Sequence, residues 1–249
     1  MILILGCMKD SLTADVFRRM TVAGSSVLHL AESDLFAATP FSLEINRMDR
    51  CGFLQCSAQT LALNEIAGIL FRLPRTWWPA PEFDLQDQLF VYHEAASSWF
   101  ALLSGLRCPQ INRFGLGWWV HDLSYPEQLR RGLAKTLEMT SEDPALTSQV
   151  PRRIFPTPVM ESDDGRHVYL VGESIIPRSV RDRDIAGRLA EQRGALARWQ
   201  QETGIAFCRL DFRQDGVTDL LYVEPMPMLE GEPPDVLDHV AAGVTEALA

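Results

Sequence analysis

The chain has 249 residues, of which 47% are hydrophobic, and this is enough for a sizeable core in one large or two small domains. The formal net charge is −10 at pH 7, which argues against a nucleic-acid backbone and against anionic membranes as partners. No apolar run reaches roughly 18 residues and the N-terminus lacks a signal-peptide pattern, so we expect a cytoplasmic protein.

The first part of the chain alternates apolar strands with helices, as α/β proteins do. The predicted elements are strands at 1–6, 26–30 and 67–73 and helices at 11–23 and 90–106. This order predicts a small parallel sheet flanked by helices. A single glycine, Gly6, follows the first strand, so the glycine-rich loop of a nicotinamide or flavin dinucleotide site is absent.

Three arginines, Arg72, Arg75 and Arg113, fall at or just beyond predicted strand ends. Open α/β sheets bind ligands at this edge, and a guanidinium suits a carboxylate or phosphate because its fork can make two parallel hydrogen bonds. Arg72 and Arg113 are therefore candidate substrate-binding residues. They are equally compatible with solvated loop arginines, and Arg75 is better interpreted in that way.

The middle of the chain contains little that predicts a folded layer. A helix is expected over 126–137, and the remainder up to Gly165 is rich in turns and prolines. Four prolines, at 144, 151, 156 and 158, favour an extended connector over a β-layer.

A β-hairpin near the C-terminus is the most informative stretch, with strands predicted at 209–213 and 221–224. Side chains alternate across a strand, so we expect one charged and one apolar face. The charged face is predicted to carry Arg209, Asp211, Arg213, Tyr222 and Glu224. The apolar face is predicted to carry Leu210, Phe212, Leu221 and Val223.

Two interpretations of the charged face are open. Its arginines and carboxylates could simply pair across the strands, contributing roughly 0.2–1 kcal/mol per pair. Alternatively, the face is a platform for a cation or phosphate. Pro225 and Pro227 favour this second interpretation, because they end the strand directly after Glu224 and leave its carboxylate beside a loop.

The order of these elements resembles the ATP-grasp superfamily, of the glutathione-synthetase-like and ribosomal-protein-modifying ligase type. The resemblance is carried by Asp211 in its hairpin, the Glu224-Pro225 strand end and the predicted terminal helix over 235–249. The hairpin at 166–176 is similar to that family's Arg-x-x-x-x-Gly hairpin. Arg72-Leu73-Pro74-Arg75 and Asn112-Arg113-Phe114 are similar to elements of its pre-ATP-grasp domain.

The resemblance implies an α/β fold with a parallel N-terminal domain and an α+β C-terminal lobe. We expect a pre-ATP-grasp-like domain at 1–116, a shortened connector at 117–164 and a C-terminal lobe at 165–249. The central lid subdomain of such ligases is expected to be largely missing.

The resemblance also implies roles for the charged residues. Asp211 matches a metal-binding carboxylate, whereas Tyr222 stands where the family has a glutamate and Glu224 where it has an asparagine. Asp211 and Glu224 are thus the expected metal ligands, and Arg209 and Arg213 the expected catalytic cations. The family's phosphate-contacting arginine matches Arg166 or His167, and Arg178 is a further candidate for cofactor binding.

Only two lysines, Lys9 and Lys135, are available to contact a nucleotide. The leading expectation is therefore an ATP-grasp-like protein with a degenerate nucleotide site, which binds a small-molecule or peptide carboxylate as an accessory subunit in biosynthesis. Its expected partners are a second copy of the chain or a ligase subunit. The alternative is a minimal ATP-dependent carboxylate-amine or thiol ligase that uses magnesium at Asp211 and Glu224.

Overall fold

The computed structural model divides into two compact units, Met1–Trp119 with Leu248–Ala249, and Val120–Ala247. The described residues are 1–31, 34, 41–45, 50–56, 59–72, 84–112, 125–139, 165–214, 219–227 and 229–248.

The first unit is built on a four-stranded parallel sheet. Its strands are β1 (Ile2–Gly6), β2 (Val27–Leu30), β6 (Gly68–Arg72) and β7 (Gln110–Ile111). Their spatial order is β2-β1-β6-β7, and every pairing is parallel. All five residues of β1 and of β6 are buried, as expected for central strands covered on both faces. The parallel sheet predicted from the sequence is confirmed.

Helix α1 (Ser11–Val22) begins immediately after the first strand because Asp10 caps it. The Asp10 side chain accepts a hydrogen bond from the backbone N–H of Thr13, which satisfies one of the unpaired donors of the first turn. Leu12, Val16 and Met20 recur at intervals of four and are buried. Asp10 therefore fixes the point at which the chain leaves the sheet edge.

The first unit also contains an antiparallel sheet that the sequence did not predict. Its strands are β3 (Phe41–Ile45), β4 (Arg50–Cys56) and β5 (Gln59–Ala62), paired in that order. A 3₁₀ turn at Leu63–Glu65 leads from β5 into β6. Helix α2 (Leu85–Gly105) then precedes β7 and starts earlier than predicted, at the Asp84 cap.

The second unit is built on a four-stranded antiparallel sheet. Its strands are β8 (Arg166–Val171), β9 (Ser174–Pro177), β10 (Phe207–Phe212) and β11 (Leu220–Glu224). They lie in the order β11-β10-β8-β9. The helices are α3 (Tyr125–Thr136), α4 (Arg183–Glu191), α5 (Arg193–Thr203) and α6 (Pro234–Leu248). Helix α3 packs on β11 and on α5, which gives the sheet a helical layer.

A β-bulge between Asp211 and Phe212 changes the apolar face of the C-terminal hairpin. Phe212 pairs with Leu220, whereas Asp211 pairs with Tyr222, so Leu221 is the extra residue. Leu220 is 1% exposed and Leu221 is 41% exposed. The prediction that Leu221 belongs to the apolar face was wrong, because one inserted residue turns the following side chain to the other side.

The predicted connector at 117–164 lies mostly outside the described residues. Its described part is α3 together with the turn that follows, which confirms the helix expected there. The expected loss of the central lid falls on the remainder and stays a prediction. Among the described helices, none is both long and apolar enough to span a membrane.

Candidate functional site

The middle of the antiparallel sheet collects polar side chains on one face. Asp211 of β10 lies opposite His167 of β8 and Tyr222 of β11, and Arg209 lies opposite Tyr169 and Glu224. Because directly opposed residues share a face, these side chains form one surface. We call it the charged sheet face, and it comprises His167, Tyr169, Arg209, Asp211, Tyr222 and Glu224.

Asp211 is the centre of this face, and its side chain is 13% exposed. Its Oδ1 lies 2.8 Å from Nδ1 of His167 and 2.8 Å from Nε of Arg209, and its Oδ2 lies 3.1 Å from Nη2 of Arg209. Burial by itself would raise the pKa of Asp211, but the hydrogen bond to His167 and the charge of Arg209 outweigh it and lower the pKa below its usual value. Asp211 is thus an ionised carboxylate that already has two donors.

The contact with Asp211 determines which nitrogen of His167 carries a hydrogen and favours the charged form of Arg209. Because an ionised carboxylate only accepts, Nδ1 of His167 carries the hydrogen and donates it. For Arg209, burial would lower the pKa, yet the facing charge of Asp211 raises it overall. Arg209 is therefore a permanent cation whose fork is directed at Asp211.

Arg178 lies beside this face but is engaged elsewhere. Its Nε donates to Oε2 of Glu232 at 2.7 Å, and Glu232 lies on the turn before α6. Tyr169 is fully buried, and burial together with the Glu232 charge raises the pKa of its phenol well above the usual value. The expected cofactor contact by Arg178 would require it to leave this carboxylate.

Glu224 differs from Asp211 in its surroundings. Its Oε1 accepts a hydrogen bond from the backbone N–H of Met226 at 3.1 Å. Within the described residues, no guanidinium lies within 4.0 Å of this carboxylate, since Arg209 is turned toward Asp211. On the charged sheet face, Glu224 is thus the carboxylate that makes no side-chain ion pair with another described residue.

The structure does not bring Arg166 to the charged sheet face. Arg166 lies opposite Phe212, one residue out of step with Asp211, and so points to the other side of the sheet. There it contacts the carboxylate of Asp184 and the carbonyl of Arg181, and its Nε lies 3.7 Å from Asp182. Of the two residues that matched the family's phosphate-contacting arginine, His167 is the one that faces Asp211.

Arg213 lies beyond the end of β10, where its backbone N–H donates to the carbonyl of Asp219 at 3.1 Å. The strand alternation from which its place on the charged face was inferred stops at Phe212. Its catalytic role stays a prediction that this geometry does not strengthen.

Arg72 is buried in the first unit, where it is 4% exposed. Its Nη2 donates to Oδ1 of Asp10 at 2.6 Å, and its Nε donates to Oδ2 at 3.2 Å. These contacts favour a structural role over the expected substrate contact. Arg113 and Arg75 lie outside the described residues.

The carboxylates of the charged sheet face accept hydrogen bonds from protein donors in this structure. Both oxygens of Asp211 accept hydrogen bonds from Arg209, and opposite it stands the phenol of Tyr222, a poor magnesium ligand near neutral pH because its usual pKa is about 10. In the part of the chain that is described, no three His, Cys, Asp or Glu side chains are grouped closely enough to hold a metal ion.

Comparison with known proteins identifies the fold. No family model matches the chain, and no curated protein matches it. Among solved structures, the macrocyclase MdnC from Microcystis aeruginosa, bound with the precursor peptide MdnA, is similar over 100% of this chain and 99% of its own, with a TM-score of 0.68 and 14% identity. The chain therefore has the fold of an ATP-grasp ligase, as the sequence predicted.

Structures of two further proteins support this identification. The ATP-grasp ligase PsnB, complexed with a minimal precursor, is 12% identical, with a TM-score of 0.62 and coverage of 100% of this chain and 98% of PsnB. PsnB complexed with a phosphomimetic variant of the minimal precursor, magnesium and ADP has the same identity and TM-score, with coverage of 100% and 97%. The RiPP-associated ATP-grasp ligase of Chryseobacterium gregarium, in complex with ADP and a leader and core peptide, is 9% identical, with a TM-score of 0.58 and coverage of 99% and 96%. At sequence identities of 9% to 14%, the similarity to these solved structures establishes the fold alone.

The carboxylates that pair with Arg72 and Arg178, namely Asp10 and Glu232, were not found from the sequence. The Asp10 to Arg72 pair joins positions 62 residues apart, and Glu232 reaches Arg178 from 54 residues away. His167 was named from the sequence as the alternative to Arg166, and the register between β8 and β10 places it opposite Asp211.

Proposed function

We propose that this chain is an ATP-grasp-fold protein with a degenerate nucleotide site, which binds a peptide and acts as an accessory subunit in a peptide-biosynthetic pathway. The fold and the precursor peptides bound by MdnC and PsnB support the peptide as its partner. A cytoplasmic location is part of this proposal.

The contact between Asp211 and its two donors carries the proposal. A metal ion would have to displace Arg209 and compete with its charge at the same oxygens. Desolvated charge pairs of this kind are costly to break, because each partner is left without compensation. Tyr222, which stands where the resemblance places a glutamate, offers no second carboxylate ligand on the same surface.

A second candidate function is favoured by Glu224. Its carboxylate is held by the Met226 N–H and makes no side-chain ion pair within the described residues. Should Arg209 turn away from Asp211, the two carboxylates could share one magnesium ion with nucleotide phosphates. This arrangement would correspond to a minimal ATP-dependent carboxylate-amine or thiol ligase.

Calorimetric titration distinguishes the two functions. If the nucleotide site is degenerate, titration with ATP should produce the same weak or undetectable heat in the presence of magnesium and in the presence of EDTA. Magnesium-dependent binding with a Kd below about 100 micromolar, corresponding to roughly −5.5 kcal/mol, would contradict the proposal. If that binding were lost both in Asp211→Asn and in Glu224→Gln, the ligase interpretation would replace it.

Tyr222→Glu provides the complementary experiment. If the tyrosine is what prevents metal assembly, this variant gains magnesium-dependent ATP binding that the natural chain lacks. Tyr222→Phe, which removes only the hydroxyl, serves as its control and should gain none.

A further inference from the structure

The second unit contains an arginine-rich segment. Residues 178–198 contain six arginines and three acidic residues, although the whole chain carries a net charge of −10. The segment comprises the end of β9, a 3₁₀ turn at Val180–Asp182, α4 and most of α5. Its charge is therefore opposite in sign to that of the protein.

Two of the three acidic residues are already engaged by other groups of the second unit. Asp182 is buried and accepts hydrogen bonds from the N–H and hydroxyl of Ser179 at 2.9 and 2.8 Å. Asp184 accepts from Arg166, which lowers the pKa of its carboxyl chiefly through that hydrogen bond. Neither carboxylate is left to balance the arginines of the segment.

Five of the six arginines are exposed. The exception is Arg178, which is half-buried against Glu232. We call the other five the arginine surface: Arg181, Arg183, Arg188, Arg193 and Arg198. None of their guanidiniums has a carboxylate within 4.0 Å among the residues that the structure describes, and Glu191 is the one exposed acid between them that is not engaged.

The arginine surface is fixed in place by the core below it. Ile185 and Leu189 of α4 and Leu196 and Trp199 of α5 are buried, so both helices are anchored through their inner sides. Val180, which is 72% exposed, adds an apolar side chain at one end. Because the helices are already packed, binding of a partner would order the arginine side chains but not the backbone that carries them.

The chemistry of this surface selects its partner. Each guanidinium can make two parallel hydrogen bonds to one carboxylate. Several arginines along one segment therefore favour a partner that carries several carboxylates. A short acidic peptide can contact the arginines without approaching the rest of the protein. A nucleic acid or an anionic membrane extends over a larger area and would be repelled by the overall charge of −10.

We propose that the arginine surface is a docking site for an acidic segment of a peptide partner. The inference rests on the proposed function only in taking a peptide as the partner. It places recognition on α4 and α5, and the contact of Arg166 with Asp184 puts the start of α4 on the opposite side of the strands from the charged sheet face.

The test uses the full chain and a fluorescently labelled Glu-Ser repeat peptide, with a Gln-Ser repeat of the same length as the neutral probe. Fluorescence anisotropy should detect binding of the acidic peptide only. The triple variant Arg188→Gln, Arg193→Gln, Arg198→Gln should bind at least about tenfold more weakly. The control triple Arg18→Gln, Arg107→Gln, Arg131→Gln removes the same charge from exposed arginines elsewhere and should bind as the natural chain does.

Three results would overturn the proposal. They are equal weakening in both triple variants, affinity that does not change between about 50 and 300 mM salt, and stronger binding of a single-stranded oligonucleotide of matched charge. The magnesium-ATP titration is a separate readout, because neither triple variant alters the charged sheet face. Failure of peptide docking and failure of the degenerate-site proposal can therefore be told apart.

Discussion

Oδ1 of Asp211 accepts a hydrogen bond from Nδ1 of His167 at 2.8 Å, across two antiparallel strands that place the two residues directly opposite each other. The same oxygen accepts from Arg209, so one carboxylate holds together a histidine, an arginine and two strands. Asp211 thereby links two strands and two donors of the charged sheet face.

Replacing Asp211 should destabilise the protein more than replacing its neighbour Glu224. Asp211→Asn leaves the largely buried Arg209 without a countercharge, and we expect the free energy of unfolding to fall by about 2 kcal/mol. Glu224→Gln makes the same chemical change on the same face but weakens only the hydrogen bond from Met226, so its loss should stay below about 1 kcal/mol. Urea unfolding followed by circular dichroism measures both, and equal losses would show that Asp211 has no special structural role.

Acid should destabilise the protein through its paired carboxylates. The pKa values of Asp10 and Asp211 are both lowered in the folded state, in each case because hydrogen bonds and arginine charge outweigh burial. Their contribution to stability is fully present above the unfolded-state pKa of about 4 and is lost as the pH falls through the lower folded-state values. The free energy of unfolding should therefore decline below about pH 5.

The same titration in Asp211→Asn provides the control for that prediction. Because the variant has no carboxyl at this position, its stability should depend less steeply on pH in the acidic range. A natural chain that becomes more stable on acidification, or a variant with an unchanged slope, would contradict this account.

The buried pair between Arg72 and Asp10 should be strongly coupled. Arg72→Met leaves the Asp10 carboxylate without its cation, and a loss of roughly 3 kcal/mol in the free energy of unfolding is expected. The double variant with Asp10→Asn should recover part of this loss, since it removes the uncompensated charge while Asn still caps α1. Strictly additive losses in the double-mutant cycle would mean that the two residues act independently.

Two adjacent leucines test the β-bulge. Leu220→Ala removes a fully buried side chain and should cost about 2–5 kcal/mol, whereas Leu221→Ala changes an exposed side chain and should stay within about 0.5 kcal/mol. Thermal or urea unfolding of the two single variants compares them directly. The reverse order would indicate the register without a bulge, in which Leu221 faces the core.

The sequence predicted most of the regular elements because their signals are local. The apolar run of β1, the spacing of buried residues in α1 and the alternation along β8 and β10 each lie within a few neighbouring residues. The parallel sheet and the ATP-grasp fold followed from the order of these elements. The sheet of β3, β4 and β5 was missed, since short strands show little periodicity until they pair with one another.

The contents of the candidate site depended on tertiary structure. The composition and order of residues were sufficient to place Asp211, Arg209, Tyr222 and Glu224 on one face, because alternation along a strand is a local property. Whether Arg166 or His167 joined them depended on the register between two strands more than 30 residues apart, and a shift of one residue exchanges the faces. The bulge at Phe212 and the pairing of Arg72 with Asp10 were likewise decided only when distant parts of the chain came into contact.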